Sequence, residues 1–211
     1  MSIPIIVLIF LKVTYSSPKD EEGISEAIKY LVGNNIPLAV KGGGHNPSGA
    51  SSTEDGVVID LSRYINHVNV DPELKTADVG GGALWEAVDE TTIVHGLATV
   101  GGTMSGTSVG GLSIGGGQGV LTGKHGQVVG NILKMTVVLA DGSIVKASAN
   151  SHPNLFWGLR GGGGNFGVMS QFRYQLHPQR KTVYVYDGDL VFDENQFVDL
   201  AFTRGSDGEA R

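Results

Sequence analysis

Residues 101 to 119 read GGTMSGTSVGGLSIGGGQG, and nearly every second position in that run is glycine. Glycine loses more conformational entropy on folding than any other residue, so a folded chain concentrates it where φ must be positive or where main chain closely approaches something else. A second cluster, KGGGHN at 41 to 46, sets a histidine beside three glycines, and a third, GGGGNFG, begins at 161. The chain carries 33 glycines and only seven prolines in 211 residues, without a three-residue period, so collagen-like and low-complexity readings both fail. For any single glycine pair an ordinary turn is the better reading. Three clusters, each at the end of a predicted element, read instead as backbone laid against a nucleotide cofactor.

A hydrophobic content of 40% is enough for one or two domains with a real core. Fifteen basic residues against 21 acidic ones give a formal charge of −6, and no Lys/Arg run occurs. The electrostatic footprint of a nucleic-acid or anionic-membrane partner is therefore missing, and neither partner is expected. The absence of cysteine excludes disulfides, thiolate metal sites and cysteinyl attachment of a cofactor. The opening MSIPIIVLIFLKV is too short to span a bilayer. It lacks the basic n-region and cleavage site of a signal peptide, so a buried strand ending at a turn in TYSSP is favoured.

From Asp20, DEEGISEAIKYLVGNN sets Ile24, Ala27, Ile28, Leu31 and Val32 at helical spacing, with acidic residues first and Gly33-Asn34 as a stop. IPLAVK reads as a strand delivering the chain into GGGH, and GVVIDLS at 56 to 62 as another. After Asp71 the pattern turns antiparallel: a helix near ALWEAVDETT, then ILKMTVVLA and SIVKAS as a hairpin around Asp141-Gly142, the favoured pair for a type I′ turn. A short helix at NLFWGLR runs into the glycine tetrad, and VMSQFRYQLHP alternates as a half-buried strand. A boundary falls near Pro178, after which YVYDGDLVF and ENQFVDLAF open a further unit.

Two familiar nucleotide loops are excluded. A Walker loop needs GxxxxGK[ST], but Gly123-Lys124 is followed by His125, and Gln118 stands where the leading glycine belongs. Gly162, Gly164 and Gly167 match GxGxxG, with Asp187 20 residues further on. That motif must lie between a strand and a helix, and here it follows a helix and precedes a strand.

Four segments in order, SPKDEEGISEAIKYL, VKGGGHNPSG, GGTMSGTSVGGLSIGGGQG with KHGQVVGN, and LFWGLRGGGGNFGV, resemble the FAD-binding domain of the vanillyl-alcohol-oxidase (PCMH) type. Within it the chain is similar to the berberine-bridge-enzyme-like FAD-linked oxidases, over roughly residues 13 to 178. The resemblance implies an α+β fold of two subdomains, a small parallel sheet followed by an antiparallel one, with FAD between them. Residues 179–211 would then begin a substrate-binding domain that is truncated here. It also implies an oxidoreductase that takes a hydride from an alcohol or amine carbon of a small organic substrate, with dioxygen or another acceptor receiving the electrons. A flavin-binding fragment without turnover is the rival reading.

Physically, an FAD pyrophosphate can be met by successive N–H groups in tight glycine turns, which suits an acidic chain. Lys41, Gly42, Gly43, Gly44, His45 and Asn46, with Gly101, Gly102, Thr103, Met104 and Gly106, are assigned to this cradle. Val109, Gly110, Gly111, Gly116, Gly117 and Gly119 are assigned to a second loop along ribityl and isoalloxazine, and Asn131, Phe166, Gly167 and Val168 follow from the family pattern. The resemblance implies that His45 attaches covalently to the 8α-methyl group of FAD. Some relatives add a cysteinyl bond where this chain has Met104, whose thioether cannot form it, so a single attachment is expected. His67, His95, His125, His152 and His177 are read as ordinary histidines, and no metal site is expected. No catalytic residue stands out: Glu54, Asp55, Asp89 and Glu90 sit in polar contexts, and Trp157 and Tyr174 fit core or half-buried positions.

Overall fold

Asp20 starts the first helix: its side chain accepts from Gly23 N at 2.9 Å, and Glu21 and Glu22 place negative charge on the first turn. The computed structural model describes residues 14–179. The opening apolar stretch and the expected start of a second unit lie outside the described residues, Gln179 excepted. In this helix, α1 (Glu21–Gly33), Ile24, Ile28 and Leu31 form the buried stripe, while Val32 points to solvent.

Strands β1 (Thr14–Ser16), β2 (Leu38–Lys41) and β3 (Val57–Asp60) make a parallel sheet in the order β1-β3-β2. TYS is therefore a strand, where a turn is expected from sequence. Ile59, Leu61 and Ile65 pack with the α1 stripe and with Val138 and Val168 into one core cluster.

The second sheet is antiparallel and five-stranded, ordered β4 (Val68–Asp71), β5 (Thr76–Gly80), β9 (Val168–Gln175), β7 (Ile132–Val138), β8 (Ile144–Ser148). Antiparallel pairing thus begins with β4, before Asp71. One face buries Ala77, Val79, Met135, Val137, Phe172 and Tyr174 against α2 (Trp85–Ile93), α3 (Val109–Ile114) and α4 (Pro153–Leu159). Strand β6 (Leu97–Ala98) pairs with β10 (His177–Pro178). The fold class is α+β with the two expected subdomains.

Three local expectations give way. Val109–Ile114, expected as a loop, is a helix: Val109 and Ser113 are fully buried, and packing outweighs the glycine penalty of about 1 kcal/mol per residue. The β7–β8 turn is not type I′, which needs positive φ at both central residues: Gly142 has φ 79° while Asp141 is not left-handed. Gly142 N donates to Leu139 O and Leu139 N to Ser143 O, the longer loop closed by a left-handed glycine. Trp157 is 77% exposed rather than half-buried, whereas Tyr174 is fully buried.

Tyr174 ties α3 to the sheet through a 2.5 Å hydrogen bond to Ser113 Oγ, and burial pushes its phenol far above its ordinary range. Tyr174→Phe leaves the Ser113 hydroxyl buried without a partner. It is expected to cost about 1–3 kcal/mol in a urea unfolding curve, with an unchanged slope.

Candidate cofactor-binding site

Strand β2 carries Lys41 into the Gly42–Asn46 loop, which lies over the start of α3. A Cβ at Gly43 would stand 3.0 Å from Ser108 Cβ, and Ser108 Oγ in turn donates to Gly81 O at 3.2 Å. His45 Nε2 is 2.9 Å from Gly106 O. A carbonyl only accepts, so Nε2 carries a proton, and in the neutral ring the lone pair is then on Nδ1. One contact thus joins the two glycine loops and sets the histidine tautomer.

The second loop is laid along the start of α2, with Trp85 N donating to Thr107 O (3.1 Å) and Glu86 N to Ser105 O (3.0 Å). The Trp85 indole is fully buried beneath it: a Cβ at Gly101 would meet its ring at 2.7 Å and one at Gly102 at 3.0 Å. Trp85 Nε1 is the one buried side-chain polar atom among the described residues without a hydrogen-bond partner.

The assigned glycines fall into two groups. Gly42, Gly110, Gly117, Gly119 and Gly167 are closed off by the chain itself, against Ser108, Gly81 O, Val128, Gly101 O and Val138 O respectively. Gly106, Gly111 and Gly116 face open space, with nothing within 4 Å of a Cβ built there. Gly44, at φ 74°, meets only the Lys41 side chain at 3.5 Å. The N–H groups of Gly43, Gly44, Gly102, Thr103 and Gly106 donate to nothing among the described residues. These unspent amides beside side-chain-free backbone fit an anionic, flat ligand.

Lys41 is spoken for: its Nζ lies 3.0 Å from Asp60 Oδ2. Burial works to raise the Asp60 carboxyl, and hydrogen bonds from Ser62 and Lys41 outweigh it, leaving it below the usual range. Asn46 closes its own turn by accepting from Ser48 N at 2.9 Å. Thr103 and Met104 are exposed, the methionine at 72%. Val109 and Val168 are buried in the cores. Phe166, half open, lies in a 3-10 turn, Gly163–Phe166, that packs against α3. Asn131 is brought to α3 by its own 3-10 turn, Val128–Asn131, but its side chain is spent elsewhere. It donates to His125 O and Gln127 O and is bonded to His177 Nε2 at 2.7 Å.

His177 also stacks on His125, with ring centroids 3.8 Å apart. Burial, then the neighbouring His125 and Lys124, push its imidazole below the ordinary histidine value. Below pH ~6.5 the unfolded chain takes up a proton that the folded chain resists, so this contribution to stability is present above that pH and lost beneath it. Urea midpoints should therefore fall between pH 7.5 and 5.5, and less steeply in His177→Gln.

Glu54, Asp55, Asp89 and Glu90 are all exposed, as expected. Among the described residues no group of three His, Cys, Asp or Glu is placed to hold a metal ion, and no helix is long and apolar enough to cross a membrane. Sequence reasoning passed over Gly80, Gly81, Gly82, Ser108 and Trp85, which support both loops. The GGG at 80 to 82 was the available signal: a Cβ at each would collide with backbone of Ile65, Met169 and Leu61 respectively.

Residues 14–148 match the family described as the FAD binding domain. An FAD-linked oxidoreductase of Aspergillus terreus is 38% identical over 76% of this chain and 32% of its own length. The crystal structure of 6-hydroxy-D-nicotine oxidase from Arthrobacter nicotinovorans superposes with a TM-score of 0.76 at 34% identity, covering 78% of this chain and 36% of that one. Glucooligosaccharide oxidase from Acremonium strictum, whose FAD is described as 6-S-cysteinyl, 8α-N1-histidyl, gives 0.70 at 34% identity, covering 78% of this chain and 35% of that one. The chain thus spans about a third of the length of these relatives. With the two subdomains, the joined glycine loops and this match in agreement, the chain belongs to the FAD-binding-domain family of the FAD-linked oxidoreductases, the group that includes the berberine-bridge-like oxidases.

Proposed function

We propose that the loops 42–46 and 101–106, with the open glycines of α3 and its exit, hold FAD, and that His45 bonds covalently to its 8α-methyl carbon in place of one C–H hydrogen, which would leave as a proton while the two electrons pass to the electron acceptor. The observation that carries this reading is the contact between His45 Nε2 and Gly106 O. It leaves Nδ1 as the nucleophilic nitrogen, at the edge of a backbone surface with no side chains to exclude a ring system. In this reading the attachment is through Nδ1 and is single, since Met104 cannot supply a second bond.

Because Lys41 is neutralised by Asp60, the pyrophosphate charge would be met chiefly by the free amides of Gly43, Gly44, Gly102, Thr103 and Gly106. Trp85 holds the second loop from beneath, and Ser108 fixes the crossing of both loops on Gly81. When bound, the flavin supplies the two-electron redox chemistry, accepting a hydride from an alcohol or amine carbon of a small organic substrate. The relatives are named for small substrates, 6-hydroxynicotine and glucooligosaccharide, in keeping with that class. Residues 13–178 would form the FAD-binding domain and 179–211 the start of a substrate-binding one. Dioxygen is the proposed electron acceptor.

The test is optical. The purified chain should be yellow, and its visible absorbance should bleach when a substrate alcohol or amine is added without oxygen and return with air. A colourless protein that takes up no added FAD would overturn the binding, and a yellow protein that no alcohol or amine bleaches would overturn the turnover.

A further inference from the structure

The five-stranded sheet turns one face to the core that carries α2 and α3, and the other carries a separate cluster of charge. Asp78, Lys134, Thr136, Lys146, Gln171 and Arg173 line a concavity of about 180 Å³ on that second face. Register places them in two adjacent rows: Asp78, Arg173 and Lys134 across β5, β9 and β7, then Gln171, Thr136 and Lys146 across β9, β7 and β8. They alternate along the strands with Val79, Phe172 and Met135, which point into the core under α2 and α3. The concavity therefore lies across the sheet from the proposed cofactor loops and does not rest on that reading.

Its charges are unevenly matched. Asp78 is bound by Arg173 through both Nε and Nη2, which holds its carboxyl below the usual range, so its carboxylate is spent and the guanidinium is held in one orientation. Lys134 and Lys146 have no carboxylate at ion-pair distance among the described residues. On the floor, Thr136 is 5% exposed as a residue, and its hydroxyl makes no hydrogen bond with the described residues but is not buried from solvent, so it is available at the hollow. An open threonine hydroxyl, two ammonium groups without an ion-pair partner among the described residues and a fixed guanidinium converge on one hollow, in a chain whose formal charge is −6. We propose that this concavity binds a phosphate group, with Lys134, Lys146 and Arg173 meeting its charge and Thr136 donating from below. Two unpaired cations match a doubly charged oxyanion better than a carboxylate. The hollow opens to solvent, so the group is accepted from a phosphate ester as well as from the free ion.

The full chain is titrated with inorganic phosphate, phenyl phosphate and acetate at fixed ionic strength, and the thermal midpoint is followed, since a ligand of the folded state raises it saturably. Inorganic phosphate should raise the midpoint and acetate should not. An equal effect of phenyl phosphate extends the site to phosphate-bearing molecules, and its exclusion confines the site to the free ion. The lysines stand on the solvent side, so Lys134→Ala with Lys146→Ala should leave the phosphate-free midpoint in place. That double variant should weaken phosphate about tenfold or more, and Thr136→Val several-fold. A midpoint rise equal for phosphate and acetate, a rise that survives the double lysine variant, or no rise with phosphate would overturn the proposal.

Discussion

In His45→Ala, flavin is expected to appear in the supernatant after acid precipitation, whereas in the unsubstituted protein it should stay with the pellet. The expected change is nearly all-or-none, because a covalent bond survives denaturation and no set of hydrogen bonds does. The imidazole Nε2 is occupied by Gly106 O, so in the neutral ring the tautomer is fixed with the lone pair on Nδ1. His45 is exposed, and its loss removes one side-chain hydrogen bond, worth about 0.5–1.5 kcal/mol, so the variant should remain folded. Noncovalent flavin can still be recruited by the free amides on both loops, which is why the spectrum of the native variant should stay yellow when FAD is supplied. Release of flavin from both proteins would mean that His45 serves only as a strut between the loops. Retention in both would overturn the assignment to His45 and place the bond on another side chain, which cannot be a cysteine.

What could be read from the sequence and what could not follow from how far each interaction reaches along the chain. The stripe Ile24, Ile28, Leu31 and the Asp20 cap are local, so α1 is visible from its own residues. The alternation of Phe172, Tyr174 and Leu176 against Gln171, Arg173 and Gln175 likewise marks β9 and its buried face. Helix α3 is not visible this way, because its glycines argue against a helix and the forces holding it come from afar: Ser113 bonds Tyr174, and Gly110 N donates to Gly81 O. The same holds for the His125–His177 stack, whose members look like isolated histidines until β10 brings them together. In the candidate site, the motif KGGGH pointed to His45, but its partner Gly106 and the support from Ser108 and Trp85 depend on chain crossings. Glycine content alone could not say which glycines are spent on packing and which are left for a ligand.

That distinction has a measurable consequence at two positions of one run. A Cβ at Gly119 would overlap Gly101 O, a backbone atom in a loop already pinned by the Trp85 ring, so nothing flexible is available to yield. Gly119→Ala should therefore destabilise the chain by about 3 kcal/mol, near the upper end for overpacking, and lower the thermal midpoint by roughly 10 °C. At Gly106 the same added methyl meets nothing within 4 Å, and φ there is not left-handed. Gly106→Ala should leave stability within about 0.5 kcal/mol of the parent, as at an ordinary surface position. The methyl group instead occupies the space beside the His45 contact, so at subsaturating FAD the flavin attached per mole of protein in a fixed time should fall about tenfold, the effect of losing some 1.4 kcal/mol of the binding that precedes the bond. Stability and flavin content thus separate: one alanine unfolds the site, the other only fills it. Equal stability of Gly119→Ala and the parent would show that the loop can move aside, and full flavin content in Gly106→Ala would take the flavin away from this side of the run.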